Sequence, residues 1–425
     1  MKVVILNTSE RTGGAAIAAN RLLKALKKSG IDVSMLVRDK QTEDTDVISI
    51  EASWFKRQID FWRFLWERLI IFVCNRLSRK RLFQVSIANT GNDISQHPLV
   101  KEADIIHLHW INQGFLSLND IRKLIQTGKP IVWTMHDMWP CTAICHYSYG
   151  CDNFTKRCGS CKFLNSRHSK DLSSYVFSQK QFLNNSSINL VAVSSWLKTL
   201  AEESALTNKL AVTVIPNVLD IKSFSPSEKS VARKILSFPS GKKIILMGAA
   251  RLNDPIKGFD YLLQSLSILR HKYQTDIMLV LFGGIKGDDS FLQEIPYPYI
   301  SMGLLRDTAQ IAQLYAASDV IVVPSRYETF GQTIIEGMAC GCPAVSFDNS
   351  GQTDIIDHLQ NGYLAKYKDV EDLARGIMWV LDHPEPAELS RVCREKVLSK
   401  YQESVVASQY ISLYRQVINS NSKKR

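Results

Sequence analysis

The sequence predicts an α/β protein of two halves, each a parallel sheet flanked by helices, and three observations predict it. Short apolar runs alternate with helical stretches from residue 3 onward, the alternation restarts near residue 243, and 425 residues are comfortable for two cores. In the first half, residues 3–6 read as a strand, 7–14 as a polar glycine loop, 15–29 as a helix and 32–37 as a second strand. Further strands are expected at 104–108, 131–134, 189–193 and 212–215. Residues 216–240 are rich in Ser, Lys and Pro and read as a linker. The second series has strands at 244–247, 277–282, 300–301, 320–323, 344–347 and 363–364, with helices between them at 261–270, 308–317 and 370–381. A final helix is expected over residues 405–419, and the basic tail Lys423-Lys424-Arg425 reads as frayed and solvated.

An apolar fraction of 45% with 22% charged residues excludes a disordered chain, so the +11 balance is a property of the surface. That excess suits anionic partners: nucleotide diphosphates, acidic lipid headgroups or nucleic acid. No zinc-finger, RNP or helix-turn-helix pattern supports nucleic acid. Residues 1–6 enter a strand without the pattern of a signal peptide, and no apolar run approaches the ~18 residues of a spanning helix. A cytoplasmic protein is expected, in which nine cysteines are thiols or metal ligands more readily than disulfides.

Chemistry concentrates in two loops of the second half. Residues 320–323 form a strand, Phe330-Gly331 a turn and residues 333–340 a helix, with Glu328 on the loop and Glu336 within the helix. Upstream, Gly248 to Gly258 follow a strand and precede a helix, and this loop carries Arg251 and Lys257. Strand ends of an open parallel sheet border the ligand crevice, and helix amino ends attract anions. An early glycine pair, Gly13-Gly14, precedes a helix in the same way, and His136-Asp137 follows the strand at 131–134.

The Glu-x7-Glu motif, the G-x-x-R-x5-K-G loop, the early glycine loop and the His-Asp pair occur along nearly the whole chain in an order that resembles glycosyltransferase family 4. The resemblance implies the GT-B fold, two Rossmann-like domains facing across a cleft, and retaining chemistry. It implies an amino-terminal domain over 1–217, a nucleotide-sugar-binding domain over 218–395, and a carboxyl-terminal helix over 396–425 that crosses back. Arg251 and Lys257 would hold the leaving diphosphate in place of a divalent metal, so no cofactor is expected for catalysis. Gly13 and Gly14 would admit the diphosphate to backbone N–H groups. Glu336 would accept from the ribose hydroxyls, Glu328 would stand beside the transferred sugar, and the backbone of Thr329, Phe330 and Gly331 would hold that sugar. Many relatives carry glycine where this chain has Thr329. His136 would position the reacting carbon. Double displacement and same-face attack both remain open, the second being favoured.

Two segments stand outside this pattern. In residues 53–83, Phe55, Ile59, Trp62, Trp66, Leu69, Val73 and Leu77 recur at spacings of three and four, among eight Lys/Arg and two acids. Such a helix lies in a membrane interface or packs on its own domain. Residues 141–161 hold Cys141, Cys145, Cys151, Cys158 and Cys161. Cys145, Cys151, Cys158 and Cys161 could bind a structural zinc, with Cys141 or His146 in reserve; disulfides and plain buried thiols are the alternatives. A subset of the resembled family carries such an insertion. The expected protein is a hexosyltransferase acting on a glycan or lipid-linked glycan of a surface polysaccharide such as lipopolysaccharide or capsule, peripheral on the cytoplasmic membrane. The rival readings are a nucleotide-sugar epimerase of the same fold and a non-catalytic nucleotide-sugar-binding or membrane-associated protein.

Overall fold

The computed structural model describes residues 1–50, 53–165 and 168–422, so the tail at 423–425 lies outside the described residues. The chain divides into two compact units, Met1–Pro216 joined by the segment from Val406, and Asn217–Val405.

The strands of the first unit are β1 (Lys2–Ser9), β2 (Asp32–Asp39), β3 (Val47–Ser49), β4 (Ile105–Leu108), β5 (Ile131–Met135), β6 (Asn189–Ala192) and β7 (Val212–Val214). They form one sheet in the order β3-β2-β1-β4-β5-β6-β7, parallel throughout. Helices cover both faces of such a sheet, which is why β1 beyond Lys2 and all of β4 are buried, polar residues included. The helices are α1 (Gly14–Lys28), α2 (Trp54–Cys74), α3 (Pro98–Glu102), α4 (Leu118–Gln126), α5 (Leu172–Lys180) and α6 (Ser195–Glu203). Local chemistry starts them: Ser117 and Asp120 close a reciprocal capping box on α4, and Ser194 caps α6 through the Leu197 N–H. Three-residue β3 is too short to show in the sequence pattern.

The second unit contains α7 (Lys229–Ile235), α8 (Phe259–Tyr273), α9 (Thr308–Ala317), α10 (Gln332–Ala339), α11 (Val370–Leu381) and α12 (Pro386–Lys400) around strands β8 (Lys243–Arg251), β9 (Ile277–Gly284), β10 (Tyr299–Ser301), β11 (Val320–Val323), β12 (Ala344–Phe347) and β13 (Gly362–Ala365). Their order is β10-β9-β8-β11-β12-β13, again parallel. The stretch expected as a linker is part of this unit. It holds α7, buries Phe224 and Ala232, and ties Arg233 to Asp319 at 2.6 Å. Its polar composition reflects an exposed helix face. The unit also extends past residue 395, because α12 buries Leu389, Cys393 and Val397, and Arg394 donates to the carbonyls of Phe224 and Ala339. Cys340 and Cys342 are buried at the turn between α10 and β12.

The last helix, α13 (Glu403–Ser422), buries Tyr410 and Tyr414, one turn apart, against the first sheet. The Tyr414 hydroxyl meets His107 Nδ1 at 2.7 Å, and the Tyr410 hydroxyl meets Thr134 Oγ1 at 2.9 Å. Among the described residues no helix is long and apolar enough to cross a membrane.

In each sheet the strand order reverses once, between β1 and β4 and between β8 and β11. Loops leaving the carboxyl ends of those neighbouring strands diverge to opposite faces and open a crevice, the place where α/β sheets bind ligands.

Candidate active site

In the second unit the two charged loops leave β8 and β11, the strands that border the reversal. Arg251 ends β8 beside a register shift, and its guanidinium donates to Asp254 at 2.6 Å while remaining about half exposed. Asp254 also accepts from the Ile256 N–H, starting the single turn that carries Lys257. Gly258 then has φ 69°, and a Cβ there would stand 1.9 Å from the Pro324 carbonyl oxygen. Only glycine lets the first loop approach the second this closely. The Arg326 N–H donates to the Ile256 carbonyl at 2.8 Å, and the Arg326 guanidinium reaches Asp260 at 2.6 Å, so the loops are stitched together.

That contact brings Lys257 Nζ to 2.7 Å from Glu328 Oε2, with both side chains largely shielded from solvent. Ser325 Oγ donates to the same oxygen at 3.4 Å. The Glu328 backbone is fixed on both sides, its N–H donating to Ser350 Oγ and its carbonyl accepting from the Gly351 N–H. Thr329, Phe330 and Gly331 are buried, and the Phe330 ring packs edge-on against Tyr401 at 5.7 Å. Gly331, at φ 116°, starts α10 with no side-chain cap. The amino end of α10 therefore presents its partial positive charge at the loop. Glu336 lies further along α10, half-buried, and accepts from the Tyr315 hydroxyl at 3.0 Å.

In the first unit, Gly13 is the amino cap of α1 at φ 91°, and a Cβ on Gly13 or Gly14 would meet nothing within 4 Å. His136 follows β5, where its Nε2 meets His109 Nδ1 at 2.8 Å and the two rings stack. Burial lowers His136 to about 4 although Asp137 pulls the other way, and burial lowers His107 to about 3. These rings are neutral at pH 7.

The Asp137 carboxylate serves other groups: it accepts from Trp110 Nε1 at 2.9 Å and the Trp139 N–H at 2.8 Å, and pairs with His146 Nδ1 at 2.7 Å. Burial opposes its charge, but His146 and these donors hold its carboxyl below the ordinary value. Asp137 therefore fixes the loop that follows His136. His146 Nε2 is also engaged, with Ser86 Oγ at 3.0 Å, so His146 does not stand in reserve for a metal at the cysteines.

Cys145, Cys151, Cys158 and Cys161 line one small pocket together with Phe154 and Phe163. All nine cysteines are free thiols. Burial pushes the Cys158 thiol up to about 11, and Cys161 and Cys151 add to the shift. Cys141 lies apart, its thiol turned to the Met138 carbonyl. Among the described residues no group of three or more His, Cys, Asp or Glu stands ready to hold a metal ion. Beside the pocket, buried Lys180 donates to the carbonyls of Trp139 and Thr142 and lies 3.5 Å from the centre of the Trp139 ring.

Lys180, His107, His109, Trp110 and Tyr315 escape a sequence reading organised by motifs. A signal for two of them is present: His107 and His109 alternate at the end of β4, which places both on one face of the sheet.

Two doubly wound units with charged loops at the strand reversal are the architecture of the GT-B glycosyltransferases. Residues 12–223 match the family described as Glycosyltransferase Family 4, and residues 228–397 match Glycosyl transferases group 1. An uncharacterized glycosyltransferase of Haemophilus influenzae is 24% identical over 387 residues, 90% of each chain. A GDP-mannose-dependent alpha-mannosyltransferase of Corynebacterium glutamicum is 33% identical over 47% of this chain and 46% of its own. Several other curated relatives are likewise matched over about half of their length or less. Among solved structures, sucrose-phosphate synthase from Thermosynechococcus elongatus superposes with a TM-score of 0.69 at 21% identity, covering 99% of this chain and 100% of its own. Anabaena HepE in complex with UDP and glucose superposes with a TM-score of 0.61 at 18% identity, over 97% and 99%. The chain has the GT-B fold, and its two halves are similar to glycosyltransferases of family 4 and of group 1.

Proposed function

We propose that this glycosyltransferase moves a hexosyl group, with retention, from a nucleoside-diphosphate sugar to a glycan or lipid-linked glycan acceptor of a surface polysaccharide. The observation that carries the reading is the Lys257–Glu328 contact at the strand reversal, flanked by Arg251 and the uncapped amino end of α10. Departure of a nucleoside diphosphate leaves an oxocarbenium-like sugar, and the catalyst must stabilise both charges. Arg251 offers a planar fork of donors and Lys257 a compact ammonium to the phosphate oxygens, work that other sites give to a divalent metal. Glu328 stands where the sugar would carry positive charge, and Glu336 accepts from the ribose hydroxyls. The backbone of Thr329, Phe330 and Gly331 holds the sugar. In the first unit, open space at Gly13 and Gly14 suits backbone approach to phosphate, and neutral His136 donates or accepts at the sugar without adding charge. HepE with UDP and glucose supports a nucleotide-sugar donor. Retention follows most simply from same-face attack, in which a diphosphate oxygen takes the acceptor's proton as the new glycosidic bond forms.

In this reading the four pocket cysteines would draw together around a structural zinc, an arrangement their thiols do not have in this structure. Four thiolates on Zn²⁺ leave two negative charges, which would favour the charged form of nearby Lys180, whose ammonium burial lowers to about 7. The metal would fix the loop after His136 and take no part in transfer.

A thermal-shift panel of nucleotide sugars tests the donor, because a ligand that binds only the folded state raises the melting temperature by mass action. Product analysis with and without a glycan acceptor completes the test. Isomerised donor formed without acceptor would instead identify an epimerase, and binding without any product a non-catalytic protein.

A further inference from the structure

Helix α2 is built inside out. Its inward face carries charge: Asp60, Glu67 and Arg68 are buried, with Ile71 the buried apolar residue. Glu67 Oε1 accepts from the N–H groups of Ile87 at 2.7 Å and Ala88 at 3.0 Å, and Arg68 Nη1 donates to the carbonyls of Leu82 and Val85. Asp60 accepts from Asn92 and pairs with Arg63, each at 2.8 Å. Polar bonds to the rest of its unit thus fix the rotation of the helix. The outward face is apolar: Trp54, Phe55, Phe61, Trp62, Trp66 and Val73 are between 52% and 73% exposed. An ordinary surface helix does the reverse, burying its apolar stripe in the core. Exposed cations bracket this face, Arg57 near its start and Arg76, Arg79 and Lys80 just beyond its end. Residues 53–83 carry eight Lys/Arg against two acids.

We infer that α2 docks the protein on an anionic lipid bilayer, lying in the interface with its tryptophans at headgroup depth and its flanking cations on lipid phosphates. Charge decides among occupants. A second copy would oppose one strongly basic segment with another on a chain of net charge +11, whereas an anionic bilayer complements it. Rows of Trp and Phe flanked by Arg and Lys match the boundary between acyl chains and headgroups. The inference stands apart from the transferase reading, since vesicle binding needs neither donor nor acceptor.

The test is flotation of the full chain with phosphatidylethanolamine/phosphatidylglycerol vesicles and with phosphatidylcholine vesicles. Binding to the anionic vesicles should exceed binding to phosphatidylcholine at least tenfold and weaken as salt rises. A Trp62→Ser/Trp66→Ser double variant should lose binding at least tenfold with an unchanged melting temperature. An Arg76→Glu/Arg79→Glu/Lys80→Glu variant should lose the preference for anionic lipid. Brominated lipids should quench tryptophan fluorescence in the parent and much less in the double variant. Equal flotation of parent and double variant would overturn the proposal. So would absence of flotation together with self-association abolished by the same substitutions, which would make the face a protein interface.

Discussion

Lys257 and Glu328, seventy-one residues apart in sequence, form a charged pair at 2.7 Å on two loops that leave neighbouring strands of one parallel sheet. Under the proposed function, an entering diphosphate would compete with Glu328 for the ammonium, and the sugar would compete with Lys257 for the carboxylate. Donor binding would then exchange one internal ion pair for two interactions with the substrate. Lys257→Ala is expected to lower kcat by about 10²–10³-fold, the range for losing one preorganised donor to a developing anion. Far-UV circular dichroism and the melting curve should stay close to those of the parent. A variant that keeps full turnover would remove Lys257 from the leaving-group role.

The two glutamates should separate. Glu336→Gln keeps the shape but loses charge and half of its accepting capacity, so calorimetry should show weakened nucleotide affinity. Glu328→Gln should leave that affinity nearly unchanged and depress kcat, because its charge acts mainly in the transition state. Equal losses of affinity in the two variants would mean that the roles are assigned wrongly.

Two glycines should fail in different ways. Gly258→Ala puts a Cβ 1.9 Å from a carbonyl oxygen at a φ of 69°, and a loss of at least about 1–3 kcal/mol is expected in urea unfolding. Gly13→Ala meets no neighbour within 4 Å, so only its φ of 91° strains it, by about 1 kcal/mol. Its larger effect should be a raised KM for the donor. Equal destabilisation by the two substitutions would contradict the open space at Gly13.

The buried histidines make stability depend on pH. His136 titrates at about 4 and His107 at about 3 in the fold, mainly through burial, against about 6.5 when unfolded. Between those values the unfolded chain binds more protons, so stability is full above about pH 6.5 and falls as pH drops toward 4. Urea midpoints at pH 7.5, 5.5 and 4.5 should decline in that order. His107→Gln should be less stable at pH 7.5 but show a shallower decline, and an unchanged slope would discount the titration.

Purified protein should carry about one zinc per chain, and Cys158→Ser should release it together with local order around residues 145–161. Metal-free protein with normal stability under reducing conditions would refute the zinc reading. Brief EDTA treatment should leave transfer largely unaffected, whereas an absolute magnesium requirement would argue against Arg251 and Lys257 as the diphosphate ligands.

The alternation of strands and helices, and hence two parallel sheets, is legible residue by residue, because apolar runs bounded by polar and glycine turns leave few other folds. The sequence also marked the loops carrying Arg251, Lys257, Glu328 and Glu336, since glycine punctuation and charge at strand ends are local signals. Partnership is not local. That Lys257 meets Glu328, that Asp137 turns to Trp110 and His146, and that Tyr414 reaches His107 depend on which strands become neighbours. The periodic stripe of α2 was legible, but periodicity fixes only that one face differs from the other. Which face turns inward was decided by Asp60, Glu67 and Arg68, whose hydrogen bonds to distant residues exist only in the folded chain.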